Sequence, residues 1–134
     1  MTAHPHPAPN NEWDGRFWQA IAHGRLELQR CAECGTFRHP PGPVCARCGA
    51  TSSEWVESAG TGEVWSYTVI HPPTLPAFRE RTPYGAVVIR LDEGVFMVSN
   101  LVDTPVEQLA TGVRVTVAIS EVDDGVYLPL FREG

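Results

Sequence analysis

Two matched frames, Cys31-Ala-Glu-Cys34-Gly35 and Cys45-Ala-Arg-Cys48-Gly49, constrain this chain more than any other feature. Both read Cys-x-x-Cys-Gly, ten residues separate them, and together they use all four cysteines of the sequence. Two such turns set face to face bring four thiolates to the corners of a tetrahedron, the arrangement that a structural zinc ion takes. The glycine after each pair permits the left-handed backbone that a tight fold around sulfur needs. Two disulfides are the competing arrangement. The N-terminal stretch MTAHPHPAPNNEW has neither the cationic start nor the apolar run of a secretory signal. A cytoplasmic location is therefore expected, where thiols stay reduced and metal binding is favoured. Iron takes the same four ligands, so zinc is the preferred but not the exclusive reading. Four thiolates complete the metal's shell, which leaves His23 and His39 as surface residues or supports of the ligands.

A closed shell has no open position for a substrate, so the site speaks for architecture before chemistry. The 134 residues suit one compact domain, or a small module joined to a larger one. With 43% apolar and 19% charged residues the chain can build a packed core. No apolar run reaches membrane-spanning length. The formal charge is −6, and four thiolates around a divalent cation add about −2. That balance disfavours nucleic acid, whose binding draws on cationic side chains. All ten basic residues are arginine, which excludes Schiff-base chemistry on lysine.

Along the chain, residues 1–10 carry three prolines, two histidines and no core pattern, and read as a mobile tail. Trp13, Phe17, Trp18 and Ile21 fall at helical spacing, with Asn11 as a cap and Gly24 as a stop, which predicts a helix over 11–24. Its aromatics either cover the rest of the protein or dock a partner. Leu26 and Leu28 alternate in a short strand entering the first cysteine turn. Residues 25–57 then form a metal-dependent ribbon, too small to fold without its ion. From 58 to 134 the pattern becomes five strand-like runs: Glu63–His71, Gly85–Leu91, Val95–Val102, Val113–Ile119 and Val126–Leu130. Asp92-Glu93-Gly94 and Asp123-Asp124-Gly125 read as hairpin turns, and Pro105–Leu109 as a helical turn. Five strands with a helical insert between the third and fourth predict an OB-like barrel. The fold class is thus mainly β: a helix, a ribbon, then a barrel. The long proline-rich break from Pro72 to Pro83 holds Phe78, Arg79 and Arg81. Arginines beside an aromatic on such a loop can grip phosphate by forked hydrogen bonds, although solvated charges are the plainer reading.

No catalytic set emerges. The six serines lie in no nucleophile frame, and neither a phosphate loop nor a Gly-x-Gly-x-x-Gly fingerprint is present. His71 is a lone candidate for acid–base work, and without a visible partner an anchoring role suits it better.

With these pieces in order the chain resembles, over nearly its whole length, a family that joins a rubredoxin-like zinc ribbon to an OB-fold, long labelled a domain of unknown function. The matching stretches are Phe17-Trp18, Gly24-x-Leu26-x-x-Gln29-Arg30-Cys31-x-x-Cys34-Gly35, Pro40-Pro41, Cys45-x-x-Cys48-Gly49, Gly62-x-Val64-x-Ser66-Tyr67-Thr68-Val69, Pro83-Tyr84, Asn100-Leu101-Val102 and Leu128-Pro129-x-Phe131. The resemblance implies a partner more than a reaction. Members are accessory subunits of thiolase-superfamily enzymes, among them thiolase–synthase assemblies, acyltransferases and aldolases that shorten steroid side chains. The partner then holds the catalytic residues, in a hetero-oligomer with two copies of each chain. On that basis Trp13, Phe17, Trp18 and Phe78 are expected to dock the partner, and Arg79 and Arg81 to meet the phosphates of an acyl-CoA at the interface. Some relatives are fused to a hot-dog hydratase domain, whereas this chain stands alone, as a natural small subunit or an excised domain. Two other classes compete. A single-stranded nucleic-acid module would stack bases on Trp65, Tyr67 and Phe96, against the acidic balance. An iron-bearing electron carrier would leave everything after Glu57 unexplained.

Overall fold

A computed structural model describes residues 4–71, 75–78 and 80–134. Helix α1 spans Glu12–Ala22. The Asn11 side chain accepts from the Asp14 N–H at 2.8 Å, and Glu12 and Asp14 occupy the first turn, where the helix dipole favours acids. Its buried face is Phe17, Ala20 and Ile21, while Trp18 packs against the edge of the core and Trp13 is half-buried. Phe17 therefore cannot present itself to a partner. The expectation that it docks one is corrected, because its ring is 4% exposed and already fills the core.

The ribbon is a three-stranded antiparallel sheet. Strand β1 (Glu27–Cys31) lies between β2 (Phe37–Arg38) and β3 (Ser53–Glu57). The barrel follows, with β4 (Thr61–Ile70), β5 (Tyr84–Leu91), β6 (Phe96–Ser99), β7 (Arg114–Asp123) and β8 (Val126–Glu133). Its strand order is β6-β5-β4-β7-β8, all pairs antiparallel. A parallel bridge from Leu101 to Phe131 brings the chain after β6 against β8 and nearly closes the sheet on itself. Backbone bonds from Val102 N–H to Phe131 O and from Phe131 N–H to Asn100 O complete that seam. The 3-10 turn Val106–Gln108 sits between the third and fourth barrel strands, where the helical insert was expected. Five strands in this order with this insert make an OB barrel. Strand ends differ from the sequence pattern mainly in β7 and β8, which run on to Asp123 and Glu133. Paired strands continue past the last apolar residue for as long as the ladder supplies hydrogen bonds.

The two modules share one core. Phe17, Ile21, Leu26 and Leu28 from the helix and ribbon side pack with Val64, Val87, Ile89, Val115 and Phe131 of the barrel. Ion pairs and turns stitch the joint from outside. Glu27 on β1 pairs with Arg16 of α1 at 2.6 Å and with Arg25 at 3.2 Å. Burial alone would raise its carboxyl, but the two guanidiniums outweigh that and hold it below the usual range. Glu93, at the β5–β6 turn, accepts from Ser58 Oγ at 3.0 Å and from the Ala59 N–H at 2.9 Å, and so clamps the link between ribbon and barrel. Its neighbour Asp92 meets Arg114 and Thr61, and the Arg114 guanidinium above all draws it down to about 2. Residues 4–10 form neither helix nor strand, yet a His6 ring nitrogen lies 2.9 Å from an Asp123 carboxylate oxygen. Phe131, fully buried at the seam, is the side chain on which closure most depends. Phe131→Ala is expected to lose about 3–5 kcal/mol in a urea unfolding titration, and a loss under 1 kcal/mol would mean that the seam is not part of the cooperative core.

Candidate metal centre and loop cavity

Each cysteine frame folds into the same turn. The Gly35 N–H donates to Cys31 O at 3.0 Å, and the Gly49 N–H to Cys45 O at 2.9 Å. Both glycines stand at positive φ, +76° and +78°, as an L side chain would resist. Cys31 ends β1, Cys34 follows in the first turn, and Cys45 and Cys48 come from the second turn, between β2 and β3. Their four Sγ atoms all lie within 4.8 Å of one another. Cys31 and Cys48 approach to 3.6 Å, as do Cys34 and Cys45. A disulfide would need about 2.05 Å. A tetrahedron of Zn–S bonds near 2.3 Å has edges of about 3.8 Å, so the cluster fits a metal and not a pair of bridges. Cys31 and Cys45 are buried, and Cys34 and Cys48 reach the surface.

The sulfurs differ electrostatically. Thr36, through its hydroxyl 3.2 Å from Sγ and through its backbone, draws the Cys34 thiol down to about 6. Backbone N–H groups of Cys48 and Arg47 lower Cys45. At Cys48 the Ala50 N–H favours the thiolate, but the neighbouring sulfurs and burial outweigh it and push the thiol up to about 12. Four thiolates so close repel one another, and a divalent cation removes the conflict by binding all four.

One important residue escaped the sequence reading as a structural element. Gln29 is 1% exposed on the central strand β1. Its Nε2 donates to Ser53 Oγ at 2.9 Å, and its Oε1 accepts from Arg38 Nε at 3.0 Å and from the Gly42 N–H at 2.8 Å. It ties all three ribbon strands and the proline-rich tip together. The available signal was a neutral amide between Leu28 and Arg30 in an otherwise alternating strand.

The histidines divide differently from expectation. His23 is exposed, and its Nδ1 lies 2.7 Å from Gln19 O at the end of α1. His39 is instead enclosed against the Phe17 ring at 5.1 Å, and burial lowers its pKa, with Asp14 opposing. His71 is exposed at the end of β4.

A second feature lies at the loop between β4 and β5. Phe78 stacks on Tyr84 at 5.2 Å, and the Arg81 guanidinium sits 5.8 Å from the Phe78 ring centre. They line a cavity of about 460 Å³ that also meets Asn100, Leu101 and the 3-10 turn near Val106. Arg81 Nη1 is buried there without a hydrogen-bond partner among the described residues. Arg79 lies outside the described residues. Trp65, Tyr67 and Phe96 all stay exposed on the barrel, with the Glu63–Arg90 ion pair beside them.

A four-cysteine ribbon sharing one core with an OB barrel defines the class of protein. Two family models match in register with those modules: the ChsH2 rubredoxin-like zinc ribbon domain over residues 18–54, and the ChsH2 C-terminal OB-fold domain over residues 55–120. The chain belongs to this ChsH2 (DUF35) family. It is 44% identical over 96% of its length to a probable enoyl-CoA hydratase alpha subunit of Thermomonospora curvata, and spans 39% of that relative. It is 31% identical to a DUF35 domain-containing scaffold protein of Methanocaldococcus jannaschii, covering 72% of each. Among solved structures it is similar to a chain of the Ltp2–ChsH2(DUF35) aldolase, with a TM-score of 0.87 and 40% identity over 95% of this chain and 98% of that one.

Purified protein is expected to carry one metal per chain by elemental analysis, and Cys45→Ser to carry less than half as much and to lose the dispersed ribbon amide signals. Full metal retention by the variant would show that the four sulfurs do not form one site.

Proposed function

We propose that this chain is a non-catalytic scaffold subunit of a thiolase-type complex acting on acyl-CoA, with zinc in its four-cysteine site. The observation that carries this reading is the match, over almost the full length of both chains, to a component of the Ltp2–ChsH2 aldolase. The scaffold name of the Methanocaldococcus relative points the same way. The chemistry of the donor set agrees: four thiolates suit zinc, which when bound ties the two cysteine turns together and offers no vacant position. Cys31, Cys34, Cys45 and Cys48 would hold it. The catalytic groups then belong to the partner. In this reading zinc keeps the ribbon rigid, and the barrel stands beside the entrance through which the acyl-CoA arm passes.

The loop cavity is the place on this chain suited to that arm. Its volume lies within the roughly 300–1,000 Å³ range of small-molecule sites. Arg81 offers an unpaired N–H to a phosphate oxygen, and the Phe78–Tyr84 stack offers a flat apolar wall. Arg79 would add a second cation from the same loop. Phe78 is then part of the ligand wall more than a docking residue, while Trp13 and Trp18 remain available at the helix surface.

Co-expression with the thiolase-like protein encoded beside this chain should yield one complex on size exclusion, with activity that the partner lacks alone. Separate elution at micromolar concentration, with a fully active lone partner, would overturn the scaffold reading. Within an active complex, Arg81→Ala should raise KM for the acyl-CoA about tenfold, in line with the loss of a charge-assisted hydrogen bond of about 1.5 kcal/mol, and leave kcat nearly unchanged. An unchanged KM would remove Arg81 from the ligand's path.

A further inference from the structure

The barrel carries an apolar surface on the side of β5 and β6 that faces away from its core. Strand alternation sends Met97 and Ser99 inward and leaves Phe96 and Val98 outward. Val98 is 75% exposed, Phe96 44% and Trp65 56%. These are not scattered singles. The register shift in β4 after Val64 turns Trp65 toward the same side, where its ring meets Phe96 edge-on at 5.0 Å. Val98 is shared with a groove of about 210 Å³ between barrel, helix and ribbon, whose walls include Trp18, Pro41 and Pro129. The patch therefore runs without a break from Trp65 across β6 into a cleft that all three parts of the protein build. Soluble chains seldom leave so continuous an apolar surface bare.

We infer that this surface, and not the N-terminal helix alone, is where the catalytic partner subunit docks, with one bulky apolar side chain of the partner seated in the groove beside Val98. The inference rests on the scaffold reading above. The groove is smaller than the roughly 300 Å³ at which small-molecule sites begin, and suits a single anchoring side chain. Charge selects the kind of partner. The chain carries −6, and carboxylates border the patch at both ends, Asp14 at the groove and Glu63 beside Arg90 near Phe96. A second copy would bring like charge to like charge. A protein with an apolar centre and a basic rim complements it. The same acidity opposes single-stranded nucleic acid, although exposed aromatics are present.

Val98→Glu and Phe96→Ser test the assignment, titrated by calorimetry against the thiolase-like protein encoded beside this chain. Both side chains point to solvent, so metal content and melting temperature should match those of the unaltered chain, while the partner's Kd rises at least tenfold for each. If the unaltered chain binds and both variants bind within twofold of it, the docking surface is elsewhere and the scaffold reading survives. If the unaltered chain does not bind, the scaffold reading fails first. Sedimentation of the chain alone as a dimer that Val98→Glu splits would assign the surface to a second copy. Quenching of Trp65 fluorescence by oligo-dT at low salt, lost in Trp65→Ala, would assign it to nucleic acid. Either result overturns the inference.

Discussion

Mutual repulsion among four sulfurs within 4.8 Å is the constraint on which the rest of this structure depends. A three-stranded sheet with a two-residue edge strand has little core of its own. It holds two turns together only when a cation neutralises the thiolates that face one another across them. Once tied, the ribbon does more than complete itself. Leu26 and Leu28 reach from its first strand into the barrel's core, and α1 is held to the same strand through Arg16 and Glu27. The metal site, the helix and the barrel are thus links in one packed body. A disturbance at the cysteines is felt at the barrel through Leu28.

That arrangement explains why a chain with an enzyme-like fold needs no catalytic residues of its own. Its chemistry is spent on rigidity: four thiols on a cation, Gln29 on the ribbon tip, Glu93 on the joint, Asp92 on Arg114. Two features stay unspent. One is the cavity with the unpaired Arg81 nitrogen, and the other is the apolar face around Val98. They involve different residues on different loops and strands. A scaffold needs both kinds of surface, one for its partner and one beside the partner's substrate.

Much of the fold was readable because its signals are local. Cys-x-x-Cys-Gly spacing depends on neighbours within five residues, and the hairpin turn at Asp92-Glu93-Gly94 is a matter of backbone preference. Alternation in Phe96–Ser99 or Tyr84–Leu91 states which side chains are inward without saying what they meet. The aromatic helix shows the limit. Periodicity placed Trp13, Phe17 and Trp18 on one stripe, and the structure divides them, with Phe17 in the core and Trp13 at the rim. A stripe defines a direction, and depth along it depends on what packs above. His39 was similarly out of reach, because Phe17 lies 22 residues before it in sequence.

What this sequence determined by itself is the metal-ligand set, the order of helix, ribbon and barrel, and the acidic, lysine-free character that selects among partners. These follow from residue types and short spacings, which the chain carries whatever its fold. Only the tertiary structure decided that β6 and β8 meet at Leu101 and Phe131, that Gln29 is a buried cross-brace, and that Trp65, Phe96 and Val98 form one surface continuous with the groove at Trp18. Each of those depends on residues far apart in sequence brought together by barrel closure. Closure is the result of summed packing across the core, which no single stretch of the chain encodes.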